Sequence, residues 1–265
     1  VIDIPKTFIT ELDRLGIGAM MLGGFNNSVY ETEEEKTPTT ATSINAFADY
    51  CKAVVDAFAE NGNPLTEFEV WNEYWSWDES KNSAENYANL FNAVSDKLKV
   101  DYPNLKMAIG FNNTSDGYNE WNDKVLNQAD VKDNLGLATI HAYAGINNST
   151  NPGEHRPEVI GKIESSMNEL KTMLDDNGIS DMDISLTETG YSSFPIDVNG
   201  DTIRCEIKGA LSKRYCVTEK EAGMLLPRCV LLGLANGAKD VYPYQLTDGS
   251  YDIETHESFF GLLRG

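Results

Sequence analysis

Apolar positions along this chain alternate between two periods. Short strand-like runs fall at 17–22, 68–72, 106–111, 137–143, 183–188 and 240–246. Between them, stretches at 43–61, 84–102, 157–177 and 218–236 are amphipathic with helical spacing, and a further helical segment, 6–15, precedes the first strand. Strands alternating with helices of this length predict a parallel sheet covered by helices. Helix ends carry matching signals. Thr218 followed by Glu221 predicts a capping box. Asn177-Gly178 and Asn236-Gly237 are C-terminal stops, each followed shortly by the next strand.

The segments after strands are longer and more distinctive than those before them. Residues 25–42 are acidic and polar, 144–156 are rich in Asn, Gly and Pro, and 191–217 form the largest insertion, with Asn199-Gly200 as a hairpin-turn signal. In β/α barrels the strand-to-helix loops build the active face. No internal repeat, low-complexity tract or linker divides the chain, so residues 1–265 are expected to form one domain. Six strands fit an open doubly wound sheet, or a (β/α)8 barrel lacking its first two β/α units, since a closed barrel needs eight.

Composition narrows the function classes. The chain has 265 residues, 41% of them hydrophobic, which is enough for one large core. A formal net charge of -21 repels nucleic acid and anionic membranes and suits neutral or cationic ligands, although solubility accounts for most of it. A polyuronate would need local basic residues. With three histidines and no C-x-x-C pair among four cysteines, a zinc site is not expected. Cys205 and Cys216 share one polar insertion and read either as a disulfide or as two free thiols, while Cys51 and Cys229 sit in apolar helical patterns as core residues. No apolar run reaches membrane-spanning length. The chain opens at Val1 without a signal peptide and reads as a processed or trimmed product, so the missing signal says little about localisation; an extracellular or cell-surface setting is expected.

Candidate chemistry rests on two glutamates that end strand-like runs: Glu73 after Phe68-Glu69-Val70-Trp71-Asn72, and Glu188 after Ile184-Ser185-Leu186-Thr187. Alone, each reads better as a surface carboxylate. Together, at the same end of parallel strands where ligands bind in such folds, they are the minimum equipment for breaking a glycosidic bond. Asn72 could reach a sugar hydroxyl if a bulge lets it face the site with Glu73. Trp75 and Trp77 follow at once and read equally as sugar-stacking faces or loop packing. Asn26 could reach a hydroxyl or serve as a turn residue. Glu69 shares parity with Glu73 and reads as a buried acid paired with a Lys or Arg. Asn119-Glu120-Trp121-Asn122 repeats the Trp-Asn pair on a helical segment and reads as coincidence.

Four phrases in order resemble the clan A retaining glycoside hydrolases, with family 39 or its family 5 and 30 relatives nearest. Phe68–Glu73 resembles the fourth-strand phrase with the acid/base. Thr139-Ile140-His141-Ala142-Tyr143 resembles the sixth strand, where a His-x-Tyr pair lines the site. Ser185–Gly190 resembles the seventh, with the nucleophile. Residues 240–263 resemble the eighth strand and its loop, ending in Phe260-Gly261-Leu262-Leu263. The resemblance implies a (β/α)8 barrel seen as strands three to eight and double-displacement cleavage of a neutral β-linked oligo- or polysaccharide. Glu73 would be the acid/base and Glu188 the nucleophile. Tyr143 would hold Glu188, His141 would contact a hydroxyl or the acid/base or else be a core histidine, and Tyr244 would be the sugar platform where the family commonly has a Trp. It implies no cofactor, no metal, no nucleic acid partner and no membrane insertion. The alternatives are a non-catalytic glycan-binding barrel and, more weakly, an open-sheet α/β enzyme, for which no nucleotide-binding glycine motif is present.

Overall fold

Runs of β-branched and aromatic residues, separated by helices that bury one stripe, produce an α/β chain. The computed structural model describes residues 6–25, 27, 29–30, 37–76, 83–113, 118–144, 156–193, 217–249 and 256–263. The strands are β1 (Met20–Gly23), β2 (Glu67–Val70), β3 (Lys106–Phe111), β4 (Leu135–His141), β5 (Ile184–Thr189) and β6 (Val241–Pro243). The helices are α1 (Lys6–Leu15), α2 (Ala41–Glu60), α3 (Ala84–Lys99), α4 (Tyr118–Leu126), α5 (Val131–Asn134), α6 (Pro157–Ile160), α7 (Lys162–Asp176) and α8 (Glu219–Ala235), with 3-10 turns at Tyr74–Ser76 and His256–Phe259. The six strands are hydrogen-bonded in chain order. The β1–β2, β2–β3 and β5–β6 pairs are parallel. Eight strands of a complete barrel are not present among the described residues.

Four expectations about elements change. The run 68–72 ends as a strand at Val70, because Trp71 takes a left-handed backbone with φ 67°. The single helix expected over 157–177 is two, because Gly161 caps α6 at φ 64° and its N–H returns to the Pro157 carbonyl. The last strand stops at Pro243, which has no N–H for a ladder, and the next donor, Tyr244 N–H, bonds the Thr189 carbonyl at 2.8 Å. Short helices α4 and α5, the second outside any expected element, lie between β3 and β4.

The chain forms two compact units, residues 1–139 with 173–183, and residues 140–172 with 184–265. In the first unit, β2 and β3 bury Phe68, Val70, Met107, Ile109 and Phe111 against Leu90, Phe91, Val94 and Leu98 of α3, all essentially without exposure. Helix α2 lies beside α3 and turns Phe47, Cys51, Val54, Val55 and Phe58 inward. Burial pushes the Cys51 thiol well up, so it stays protonated as a core residue. Each fully buried side chain of this size contributes about 1.5–3 kcal/mol, so this apolar centre outweighs any surface ion pair here. In the second unit, Ile184 and Leu186 of β5 meet a core that includes Ile163, Met167, Leu225 and Cys229. Helix α8 opens with a capping box: Thr218 Oγ1 accepts from Glu221 N–H, and the Glu221 carboxylate accepts from Thr218 N–H.

Candidate active site

Strand β5 delivers Glu188 in the second unit. Ile184, Ser185 and Leu186 are buried, and the Glu188 side chain, two residues beyond, remains 20% exposed. The end of β4 runs alongside, with Ala142 N–H donating to the Glu188 carbonyl at 3.1 Å. That pairing brings two side chains to one carboxylate oxygen. Tyr143 donates its hydroxyl to Glu188 Oε2 at 2.5 Å, and Nδ1 of the buried His141 stands 3.4 Å from the same oxygen. A charge-assisted O–H···O bond of this length is at the short, strong end of its range.

Two rings frame that carboxylate's partner. Tyr143 meets Phe260 edge-on at 5.7 Å and Tyr244 at 6.4 Å, and Tyr244 meets Phe260 at 5.6 Å. Such edge-to-face contacts fix ring orientation. Gly190 makes the arrangement possible: a Cβ there would run into the Tyr244 carbonyl and lie 3.1 Å from Phe260 Cδ1. Behind β5, burial pushes up both the Tyr191 hydroxyl and the Cys229 thiol, the latter despite hydrogen bonds with Tyr191 and Thr189 that pull the other way. That thiol is packing, not a nucleophile.

Strand β2 delivers Asn72, Glu73 and Trp75 in the first unit, all half-buried. Trp71 N–H still donates to the Gly23 carbonyl at 2.6 Å, one residue beyond the strand, while its backbone has turned left-handed. Glu73 is left-handed as well, at φ 44°. Its carbonyl accepts both the backbone N–H and the hydroxyl of Ser76, each at 2.8 Å. Two such residues together cost roughly 2–4 kcal/mol. The indole of Trp71 is 3% exposed, tilted against Phe47 at 5.3 Å and edge-on to Tyr74 at 6.1 Å. Burying a Trp at about 25 cal/mol per Å2 over ~200 Å2 returns roughly 5 kcal/mol, which offsets the strain. Tyr74 is itself buried, accepting from Thr37 Oγ1 at 3.0 Å and contacting Tyr87 at 4.9 Å.

Glu69 is fully buried, with Oε1 at the point where a side chain on Gly110 would begin: a Cβ there would be 2.7 Å away. Burial first, then the charge of Glu69, pushes the Tyr87 hydroxyl well up; that hydroxyl donates to the Val70 carbonyl at 2.9 Å. Asn122 accepts from Asn112 N–H and donates to the Asn112 carbonyl, both at 3.0 Å, and Trp121 stacks 5.4 Å from Tyr87, so the second Trp-Asn pair has structural work to do. Asn26, Trp77, Cys205, Cys216 and the Asn199-Gly200 turn lie outside the described residues. Two contributors went unread in the sequence: Phe260, whose signal was the Phe-Gly-Leu-Leu phrase, and the backbone of Trp71, which has no sequence signal.

With this geometry in place, comparison with known proteins defines the class of fold. No protein-family model matches the sequence, and no curated protein does. Solved structures do match, glycoside hydrolases among them. A family 39 glycoside hydrolase from the gut symbiont Bacteroides cellulosilyticus WH2 is 22% identical with a TM-score of 0.68, over 100% of this chain and 50% of that one. A monomeric beta-xylosidase from Caulobacter crescentus CB15 is 16% identical with a TM-score of 0.59, over 96% and 51%. A family 39 enzyme from Xanthomonas axonopodis pv. citri is 15% identical with a TM-score of 0.57, over 92% and 47%. The chain thus has the fold of part of these enzymes and spans about half their length.

Proposed function

We propose that this protein is a retaining glycoside hydrolase that cleaves β-linked neutral oligo- or polysaccharides. The observation that carries the reading is the Tyr143–Glu188 hydrogen bond at the C-terminal end of β5. It fixes one oxygen of the carboxylate in place at the strand end. A hydrogen bond donated to a carboxylate supports its ionised form, which a nucleophile requires. The fold likeness to glycoside hydrolases supports the same class.

Glu188 attacks the anomeric carbon while Glu73 protonates the departing oxygen; Glu73 then takes a proton from the water that releases the sugar from Glu188. This chemistry needs the two carboxyls roughly 5–5.5 Å apart and no cofactor. Asn72 and His141 would bond sugar hydroxyls, Tyr244 would form the platform, and Trp75 would stack on the leaving-group side; Asn26 and Trp77 belong to the same proposal. In the complete protein the six strands would be the third to eighth of a (β/α)8 barrel, a reading supported by solved structures twice as long. Action on a polymer places the protein outside the cell or at its surface.

The test is hydrolysis of aryl β-glycosides, with the β-xyloside first because one similar structure is a beta-xylosidase. Glu188→Ala should abolish turnover, and added azide should restore part of it as the α-glycosyl azide. Tight glycan binding with no turnover across a broad panel would instead favour a binding protein. Azide rescue giving the β-azide would make Glu188 the acid/base instead of the nucleophile, and no loss in the variant would remove it from the mechanism.

A further inference from the structure

The left-handed backbone at Trp71 has a directional effect. Phe68 of β2 meets the Cys51 thiol of α2 at Gly23, which puts it on the helix-facing side of the sheet. Glu69 turns the other way, against Gly110 and near Thr139 Oγ1. Strict alternation would send Trp71 and Glu73 to the Glu69 side. The Trp71 ring instead packs at a tilt against Phe47 of α2, among the helices. The reversal occurs where φ changes sign, so the direction of everything after Val70 depends on that residue. Trp is poorly suited to this conformation, unlike Gly or Asn. What holds it is its ring, packed against Phe47 and Tyr74, and its backbone N–H on the Gly23 carbonyl. Tyr74, the residue after Glu73, is anchored in turn by Tyr87 and Thr37. Glu73 is therefore gripped by a buried aromatic residue two positions before it and another one position after it.

We propose that Trp71 is a positioning residue for Glu73, its buried indole holding the left-handed turn that aims the Glu73 carboxyl. The inference rests on Glu73 being the acid/base. A misaimed general acid slows departure of a poor leaving group and spares a good one that needs no proton. General acid catalysis contributes about 10²–10⁴-fold, and a small misplacement forfeits about 10²-fold.

The experiment compares phenyl and 2,4-dinitrophenyl β-xylosides. In Trp71→Ala, kcat/KM for the phenyl glycoside should fall ~100-fold and that for the dinitrophenyl glycoside less than about fivefold, with Trp71→Phe restoring the phenyl rate. A role confined to stability lowers both rates together, in proportion to the folded fraction, and that result overturns the inference, as does an unchanged pair of rates. If Trp71→Ala does not fold, Phe47→Ala, which removes the supporting ring and leaves the turn residue in place, is read the same way. Glu73→Ala is measured alongside. If it shows the leaving-group selectivity and the Trp71 and Phe47 variants do not, only the positioning role fails. If it shows none, the acid/base reading fails and the positioning role goes with it.

Discussion

Tyr143→Phe removes one hydroxyl and little else. The bond lost is the 2.5 Å hydrogen bond to Glu188 Oε2. The ring stays, with its edge-on contacts to Phe260 at 5.7 Å and Tyr244 at 6.4 Å. A hydrogen bond to a charged group contributes about 1.5–3 kcal/mol. If that energy aligns the carboxylate for attack, its loss corresponds to a ~10–150-fold fall in rate, at about 1.4 kcal/mol per tenfold. His141, 3.4 Å from the same oxygen, can recover part of it, so the lower half of that range is expected. The assay is kcat/KM on 4-nitrophenyl β-xyloside, with the rate of covalent trapping by a 2-deoxy-2-fluoro glycoside read by mass spectrometry. Both should fall together, because under the proposed function both report attack by Glu188. The melting temperature should fall by no more than about 3–12 °C, the change that the same 1.5–3 kcal/mol produces at about 2–4 °C per kcal/mol in a chain of this size. A variant within twofold of the parent in both assays would refute the reasoning that this bond orients the nucleophile.

Gly190→Ala places a methyl group against the Tyr244 carbonyl and Phe260, so it should cost about 1–3 kcal/mol of stability by overpacking and lower kcat/KM as the rings shift; thermal melting with kinetics checks it, and an unchanged melt would refute the close approach. Asp56 tests surface electrostatics. Burial works to raise it, but hydrogen bonds from Lys52 and Tyr102 prevail and hold its carboxyl below the usual range. A depressed acid contributes stability above its unfolded value, near pH 4, that is lost as pH falls through the lower folded value. The stability gap between parent and Asp56→Asn should therefore be below about 1 kcal/mol at pH 7 and close as the solution is acidified below about pH 4. The same bond pushes Tyr102 up to about 12, so that group's contribution is full below about pH 10 and lost as pH rises through 12. Thermal melts of both proteins from pH 2.5 to about 12.5 would show either trend, and a gap that widens on acidification would reverse the sign.

All six strands were legible because each apolar run is bounded by polar turns; β3 at Lys106–Phe111 coincides with its run to the residue. The break between α6 and α7 was written in Gly161 but hidden by the apolar period that continues across it. Helices α4 and α5 are too short to show a period of their own. In the candidate site, the order of phrases brought Tyr143 to Glu188, and the structure joins them by a hydrogen bond. The direction of the Trp71–Glu73 segment was not legible. Alternation assumes extended backbone, and nothing in a bulky aromatic announces a positive φ; only the rings that trap it, from residues 47 and 74, explain it.

The Glu69 carboxylate and the bare Cα of Gly110 occupy one shared volume on neighbouring strands. Neither position can drift by itself. A side chain gained at 110 evicts the carboxylate, and a carboxylate shortened or lost at 69 leaves a void beside Gly110. Descendants of this sequence would therefore have to exchange the two residues as a unit, through an intermediate weaker than either end. Such a pair leaves its trace across a lineage as correlated change, a record of strand adjacency kept by two residues forty-one places apart in the chain.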